Sequence, residues 1–249
     1  MNKLSKHAVS VIVMSFGYSL FAYSQLNPKL QFGIGAGTFI YQGDLTPSGL
    51  GSYKTMKPQV NIFASRFLNS SFSVRANVFI GSLKGDDSKY NKPAYRQERN
   101  FKFRSSVAEI SGIGEWNILG RNYVEKGFAP YIFGGIGYSF LKIRRDWSAL
   151  NTEYFSAESS LMEGLAEDAQ HSVPRGLIVF PVGVGTRYYF SDKFGISAET
   201  SYRLSATDYL DGFSRSANPA EKDHYYSHSV GVVYRLGKKN TFDCPVIRY

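Results

Sequence analysis

Seven charged side chains stand at alternating positions within otherwise apolar stretches, where they could serve either chemistry or structure. Glu109 and Glu115 could form a carboxylate pair for acid–base work, but a closed interior would give a substrate no access. Both signs are present, so charges enclosed in a low-dielectric interior should pair with one another. We therefore predict an interior ion-pair network in which Glu199 neutralises an arginine such as Arg187 or Arg203. Its members are Arg75, Glu109, Glu115, Arg187, Glu199, Arg203 and Arg235.

Serine and histidine occur together late in the chain, and a surface lipid hydrolase would need a serine activated by a nearby histidine. His228 and Ser229 are sequential neighbours, which face opposite ways on a strand. His224 and Ser227 also differ in parity. The sequence therefore predicts no catalytic residue and no enzyme.

Glycines alternate at positions 33, 35 and 37, which superficially resembles a dinucleotide-binding loop. Thr38 stands where that motif needs glycine, and no helix is predicted to follow. No cluster of His, Cys or Asp has the spacing of metal ligands. We predict no cofactor, no metal and no nucleic-acid partner, and we expect the glycines to relieve crowding or to let the strand bend.

Basic residues gather in two segments that could meet the phosphates of lipopolysaccharide. The alternative is a loop whose charges are merely solvated. The predicted contacts are Lys92, Arg96, Arg99, Lys102, Arg104, Arg144 and Arg145, with Lys142 beside the last two.

An acidic stretch lies in the third long polar segment. Residues 156–170 could form a short helix with Leu161 and Leu165 on one side, and a solvated helix is favoured over a calcium site. The carboxylates concerned are Glu153, Glu158, Glu163, Glu167 and Asp168.

The elements that position these groups show a period of two, as strands do. In the third predicted strand Val74, Ala76 and Val78 alternate with Arg75 and Asn77. The chain of 249 residues has 24 glycines, 18 tyrosines and 19 phenylalanines beside a mean hydropathy of only -0.24. Such a composition is typical of a barrel with an apolar outside and a polar inside.

Connections between the predicted strands are alternately short and long. Tight turns at residues 68–71 and 191–193 and a modest one at 119–126 alternate with four long polar loops. This pattern predicts an all-β, eight-stranded antiparallel transmembrane barrel of the outer membrane over residues 25–236, with short periplasmic turns and long external loops. A soluble β-sandwich is the alternative. Strands two and five alternate weakly, and Phe63 and Phe133 would face inward.

The first 24 residues read as a secretory signal, with Lys3 and Lys6 before an apolar centre and Ala22-Tyr23-Ser24 before the expected cleavage. An uncleaved membrane anchor is the alternative. Cys244 is the only cysteine, which excludes an intramolecular disulfide. We expect an exported protein of the outer membrane.

Three segments resemble the PorG-like family of outer-membrane proteins in Bacteroidota-type bacteria. The sequence GAGTFIYQGDL at residues 35–45 resembles the family's opening strand "G-x-x-x-Y-x-G-D-L". RYYF at 187–190 with TDYLD at 207–211, and CPVIRY at 244–249, resemble later parts of that family. The resemblance implies a role connected with type IX secretion through a periplasmic complex, or a paralogue without that role.

Residues 237–249 are predicted to be a periplasmic tail, because the alternation ends at Leu236. Apolar groups in this tail favour burial against a periplasmic protein or lipoprotein, and a tail folded back on the barrel is the alternative. The residues expected to bind the partner are Phe242, Cys244, Pro245, Val246, Ile247, Arg248 and Tyr249. Three functions remain open: an accessory barrel of a secretion system, an independent barrel for adhesion or envelope stability, and a lipid-modifying enzyme.

Overall fold

Eight antiparallel strands form one closed sheet in chain order, as the sequence predicts. The computed structural model describes residues 30–47, 51–155, 159–205, 209–217 and 222–236. The last strand closes the barrel on the first, with Leu30 opposite Leu236 and Gln42 opposite His224. The strands are β1 (Leu30–Gln42), β2 (Lys57–Phe67), β3 (Phe72–Asp86), β4 (Lys102–Asn117), β5 (Gly127–Asp146), β6 (Gly176–Tyr189), β7 (Phe194–Ser205) and β8 (His224–Leu236).

The helices are short and belong to the long loops. Helix α1 spans Tyr95–Arg99 and helix α2 spans Ser159–Gln170, while Tyr53–Thr55 and Asp87–Lys89 form 3-10 turns. None of the helices in the described ranges is long and apolar enough to cross a membrane. The predicted signal, the predicted tail and residues 25–29 lie outside the described residues.

Alternation along each strand separates an apolar outer wall from a polar interior. In β3 Val74 and Val78 are exposed outside, whereas Ser73, Arg75 and Asn77 are buried inside. The other strands show the same arrangement, with exposed aliphatic and aromatic side chains outside and buried polar side chains inside. Large apolar groups on the outer wall thus replace the polar surface that a water-soluble protein would present.

The two weakly alternating strands carry aromatic side chains into the interior beside glycines. A Cβ atom on Gly33 would lie only 2.2 Å from the ring of Phe63, and one on Gly183 would lie 2.6 Å from the ring of Phe133. Phe63 and Phe133 are both buried, as their parity predicts. The inward glycines therefore provide the volume that these rings occupy.

Short turns join the strands at one end of the barrel and are fixed by side chains. Asn69 Oδ1 accepts hydrogen bonds from the backbone N–H groups of Ser71 and Phe72, both at 2.8 Å. Asn117 Oδ1 accepts from Leu119 N at 3.1 Å in the turn after β4. The four long connections all leave the opposite end. The predicted alternation of short and long connections is therefore present.

Candidate functional site

Four charged side chains from four strands meet inside the barrel on the side of the short turns. Arg75 Nη1 lies 3.0 Å from Glu115 Oε1 and also pairs with Glu199. Arg187 Nη2 donates to the same Glu115 oxygen at 2.5 Å. The second oxygen of Glu115 accepts from Ser73 Oγ at 2.6 Å. Glu115 thus neutralises two buried arginines at once.

Glu199 has a different partner from the ones we predict. Its carboxylate pairs with Arg75 and accepts a hydrogen bond from the Tyr131 hydroxyl. Neither Arg187 nor Arg203 takes this role, because each already has another carboxylate nearby. Glu199 on β7 and Arg75 on β3 lie on strands that are not neighbours in the sheet, so strand adjacency does not reveal this pair.

Glu109 and Arg203 form a second group, nearer the long loops. Arg203 Nε lies 3.0 Å from Glu109 Oε2, and the Tyr225 hydroxyl donates to the same oxygen at 2.9 Å. Arg203 Nη1 donates to Ser201 Oγ at 2.5 Å and to Ser227 Oγ at 2.7 Å. Buried charge is therefore matched by a carboxylate and by hydroxyl groups.

Arg235 does not join the ion pairs, contrary to the prediction. Its Nη1 donates to the Val124 carbonyl oxygen at 2.5 Å, and its guanidinium carbon lies 3.2 Å from the centre of the Tyr189 ring. Among the described residues, no carboxylate forms a salt bridge with it. Arg235 lies near the end of β8, at the side of the short turns, where backbone and aromatic groups surround it.

Aromatic rings fill the space between the charges. The guanidinium carbon of Arg187 lies 4.0 Å from the ring centre of Tyr131, and that of Arg203 lies 4.5 Å from the ring centre of Phe79. A planar guanidinium can stack on a ring while its nitrogens donate to carboxylates. The interior is therefore a packed polar core.

The long loops form a cap over the barrel, and Asp87 is one of its two anchors. This carboxylate is completely buried and binds Arg96 and Arg99, each at 2.7 Å. Arg96 also donates to the carbonyl oxygens of Asp44 and Thr46 in the first loop. The prediction that Arg96 and Arg99 contact lipopolysaccharide is therefore wrong, since they are only 6% and 4% exposed. They join the second loop to the first.

Asp168 is the second anchor and joins helix α2 to the fourth loop. It accepts hydrogen bonds from the backbone N–H groups of Ser214, Arg215 and Ser216 at 2.9 to 3.2 Å, and from Ser216 Oγ at 2.6 Å. Burial raises the pKa of the Asp168 carboxyl, but the hydrogen bonds from Ser216 and the backbone outweigh burial and hold the pKa below its ordinary value. The anchor therefore weakens only as the pH falls through this lowered pKa.

Helix α2 is not the solvated helix that the acidic stretch predicts. Leu165 is buried and Leu161 packs beside it against the core of the cap. Phe101 and Phe213, from the second and fourth loops, stack in the same core with ring centres 4.5 Å apart. Within the described ranges, no three His, Cys, Asp or Glu side chains are arranged to hold a metal.

Sequence reasoning missed both anchors. Asp87 follows another aspartate and Asp168 follows a glutamate, so each looks like part of a solvated acidic run. The available signal was the neighbouring apolar residues: Tyr90 and Phe101 follow Asp87, and Leu165 precedes Asp168 by one helical turn.

The other basic residues predicted to meet phosphate lie at the end of the barrel that carries the long loops. Arg145 faces the cap and donates to the carbonyl oxygens of Gly212, Ala169 and His171, so it is also a cap residue. Lys92, Arg104 and Arg144 are exposed, and Lys102 is half-buried.

The serine and histidine side chains of β8 are separated by the barrel wall. His228 faces outside, where its Nε2 lies 2.9 Å from the Tyr53 hydroxyl and its Nδ1 lies 2.9 Å from Thr200 Oγ1. Ser227 and Ser229 are buried on the inner side. Neither inner hydroxyl is hydrogen-bonded to this imidazole.

A closed antiparallel sheet with an apolar outer wall and an ion-paired interior defines a small membrane-spanning β-barrel. The chain belongs to the family described as a domain of unknown function (DUF6089), which matches residues 6–245.

Several solved structures are similar to this chain at low sequence identity. Ail, the attachment invasion locus protein of Yersinia pestis, is 13% identical with a TM-score of 0.46, covering 85% of this chain and 100% of that chain. OprG from Pseudomonas aeruginosa is 9% identical with a TM-score of 0.48, covering 85% and 97%. The N-terminal β-barrel domain of Pseudomonas aeruginosa OprF is 11% identical with a TM-score of 0.42, covering 83% and 97%. No curated protein matches the chain in sequence.

Proposed function

We propose that this chain is an integral outer-membrane barrel that acts as a non-enzymatic, non-conducting anchor. The observation that carries the proposal is the filled interior, in which ion pairs and aromatic rings occupy the space between the strands. The cap of packed loops covers the external mouth. With its interior occupied, the barrel acts through its surfaces and its ends.

Reconstituted barrel should show no large steady conductance, because the charged core leaves no continuous aqueous path of porin size. The measurement is single-channel recording in planar bilayers, with a porin in the same bilayers as the positive control. Porin-like steps from pure protein, recorded alongside a folded-protein gel, would contradict the proposal.

Within this class we propose an accessory role in type IX protein secretion, with a periplasmic protein or lipoprotein as the partner. The resemblance of residues 35–45 and 244–249 to the PorG-like family supports this role. β8 ends at Leu236 on the side of the short turns, so the chain continues from that side. Residues 237–249 themselves lie outside the described part of the chain.

An independent surface barrel for adhesion or envelope stability is the second candidate. The observation that favours it is the cap, in which both anchors fix loops from different hairpins to one another. Such a rigid surface loses little conformational entropy when it binds a partner.

A gene deletion complemented with two forms of the protein separates the candidates. Complementation with the full chain should restore secreted cargo, whereas a chain truncated after Asn240 should not, although its barrel should still assemble. In cells, cross-linking from Cys244 should capture a periplasmic partner, and Cys244→Ala is the matched control. Normal secretion by the truncated chain would remove the tail from the mechanism. Normal secretion in the deletion strain itself would remove the secretion role, and altered surface binding or envelope integrity in that strain would then support the second candidate.

A further inference from the structure

Three basic residues stand in one row across adjacent strands at the external end of the barrel. Lys84 on β3 is directly opposite Arg104 on β4, and Arg104 is directly opposite Arg144 on β5. All three have the parity of the outer wall, as do Ile80, Ala108 and Phe140 further down the same strands. We name Lys84, Arg104 and Arg144 the basic row.

The basic row has few anionic partners. Lys84 Nζ lies 2.8 Å from Asp86 Oδ2. Arg104 and Arg144 are exposed, and neither forms a hydrogen bond or ion pair with any described residue. Like charges directly opposite each other destabilise a sheet. An anion bound between them would remove this repulsion.

The positions next to the basic row differ on its two sides, where above means toward the long loops and below means toward the short turns. Above it, Lys102 stands between Asp86 and Asp146 in the register, so the charge of Lys102 is balanced locally. Below it, Ser82 and Ser106 stand beside Lys142, which is exposed and has no described partner. Four cations and two hydroxyl groups can thus donate hydrogen bonds to a phosphate from the row and from just below it.

The level of the basic row along the barrel identifies the source of the phosphate. Beyond the level of Ser82, Ser106 and Lys142, the outward positions are Ile80, Ala108 and Phe140, which begin the apolar wall. A barrel wall changes from apolar to polar where the hydrocarbon core meets the headgroups. The row therefore lies at the height of lipid headgroups in the outer leaflet.

We propose that Lys84, Arg104, Lys142 and Arg144, with Ser106, bind the phosphate groups of lipopolysaccharide in the outer leaflet. This inference rests on the proposed membrane location and does not depend on a secretion role. It replaces the sequence-based set, because Arg96, Arg99 and Arg145 belong to the cap and Lys102 is balanced by carboxylates. Lys92 lies in the second long loop, outside the row. Binding of phosphate by these cations would hold this end of the barrel at the level of the outer-leaflet headgroups.

The test is native mass spectrometry of the full chain in detergent micelles with purified bisphosphorylated lipid A. The variant Arg104→Ala/Arg144→Ala should weaken binding by about tenfold or more, since each charge-assisted contact contributes appreciably. The control Arg66→Ala/Lys222→Ala removes the same charge from the opposite rim and from another side of the external rim, and its affinity should stay within about twofold. Dephosphorylated lipid A should bind wild type as weakly as it binds the Arg104→Ala/Arg144→Ala variant.

The outcomes are distinguishable from failure of the proposed location. Wild type that does not insert into detergent or liposomes would overturn the membrane proposal itself. Inserted protein that binds dephosphorylated lipid A equally well, or that keeps full affinity in Arg104→Ala/Arg144→Ala, would overturn the phosphate site alone. Full displacement of lipid A by millimolar inorganic phosphate would assign the row to free phosphate and would also overturn it. The double variant should fold, because removing the two arginines removes a repulsion, and heat-modifiable migration on a gel checks this.

Discussion

Replacing Glu115 with alanine should lower the free energy of unfolding by about 3 to 5 kcal/mol, which is the effect of breaking a buried pair from one side. Glu115 is buried inside the barrel and neutralises both Arg75 and Arg187. Arg75 keeps Glu199, whereas Arg187 has no other salt bridge among the described residues. The uncompensated charge on Arg187 should therefore dominate the loss. Urea titration of the barrel in lipid vesicles, followed by tryptophan fluorescence, measures it.

Two further variants show whether the loss comes from unpaired charge. Glu163→Ala removes an exposed carboxylate from helix α2 and should change stability by less than about 0.5 kcal/mol. Glu115→Ala combined with Arg187→Met should recover much of the stability, because no unpaired arginine then remains at that position. A double variant as unstable as the sum of its single variants would show that the two side chains are not coupled.

The side of the sheet that each strand residue faces could be predicted, because it depends only on the residue's position along its own strand. Val74 and Arg75 face opposite sides for the same reason that any neighbours on a strand do, and the strand ends are visible as turns. Phe63 and Phe133 obey the same rule although they are apolar residues inside, because inward glycines face their rings. The fold therefore followed from the sequence.

Partners across the barrel could not be predicted, because they depend on strand tilt and on distances across the interior. Glu199 meets Arg75 from a strand that is not its neighbour in the sheet. In the loops there is no parity to follow, so Arg96 and Arg99 looked like surface cations although Asp87 holds them inside the cap. Long-range pairing of charges is where the sequence-based reasoning failed.

The site of the basic row was visible only in part. Arg104 and Arg144 were candidates from composition, but their direct opposition requires the register between β4 and β5. That register also separates them from Arg145, whose side chain has the other parity and reaches the cap. One residue along a strand thus decides between an arginine on the outer wall and one that reaches the cap.

Placing an arginine at Val184 should cost about 2 to 4 kcal/mol if the outer wall lies in a bilayer, and well under 1 kcal/mol if it faces water. Val184 lies in the middle of β6, is 56% exposed, and stands opposite Ile132 and Thr200 on the neighbouring strands. An exposed valine has little packing to lose, so most of the cost would be that of moving a guanidinium into hydrocarbon. Reversible folding into vesicles of defined lipid, with urea as denaturant, measures the difference.

Ile178→Arg is the matched control for this substitution. Ile178 lies on the same strand and on the same face, is 53% exposed, and stands near the external end, where an arginine should cost only about 0 to 1 kcal/mol. A cost that falls from Val184 to Ile178 would show a depth-dependent environment, which only a membrane provides to residues of equal exposure. Equal and small costs at both positions, in a protein that stays soluble without detergent, would mean that the apolar wall is covered by something other than lipid.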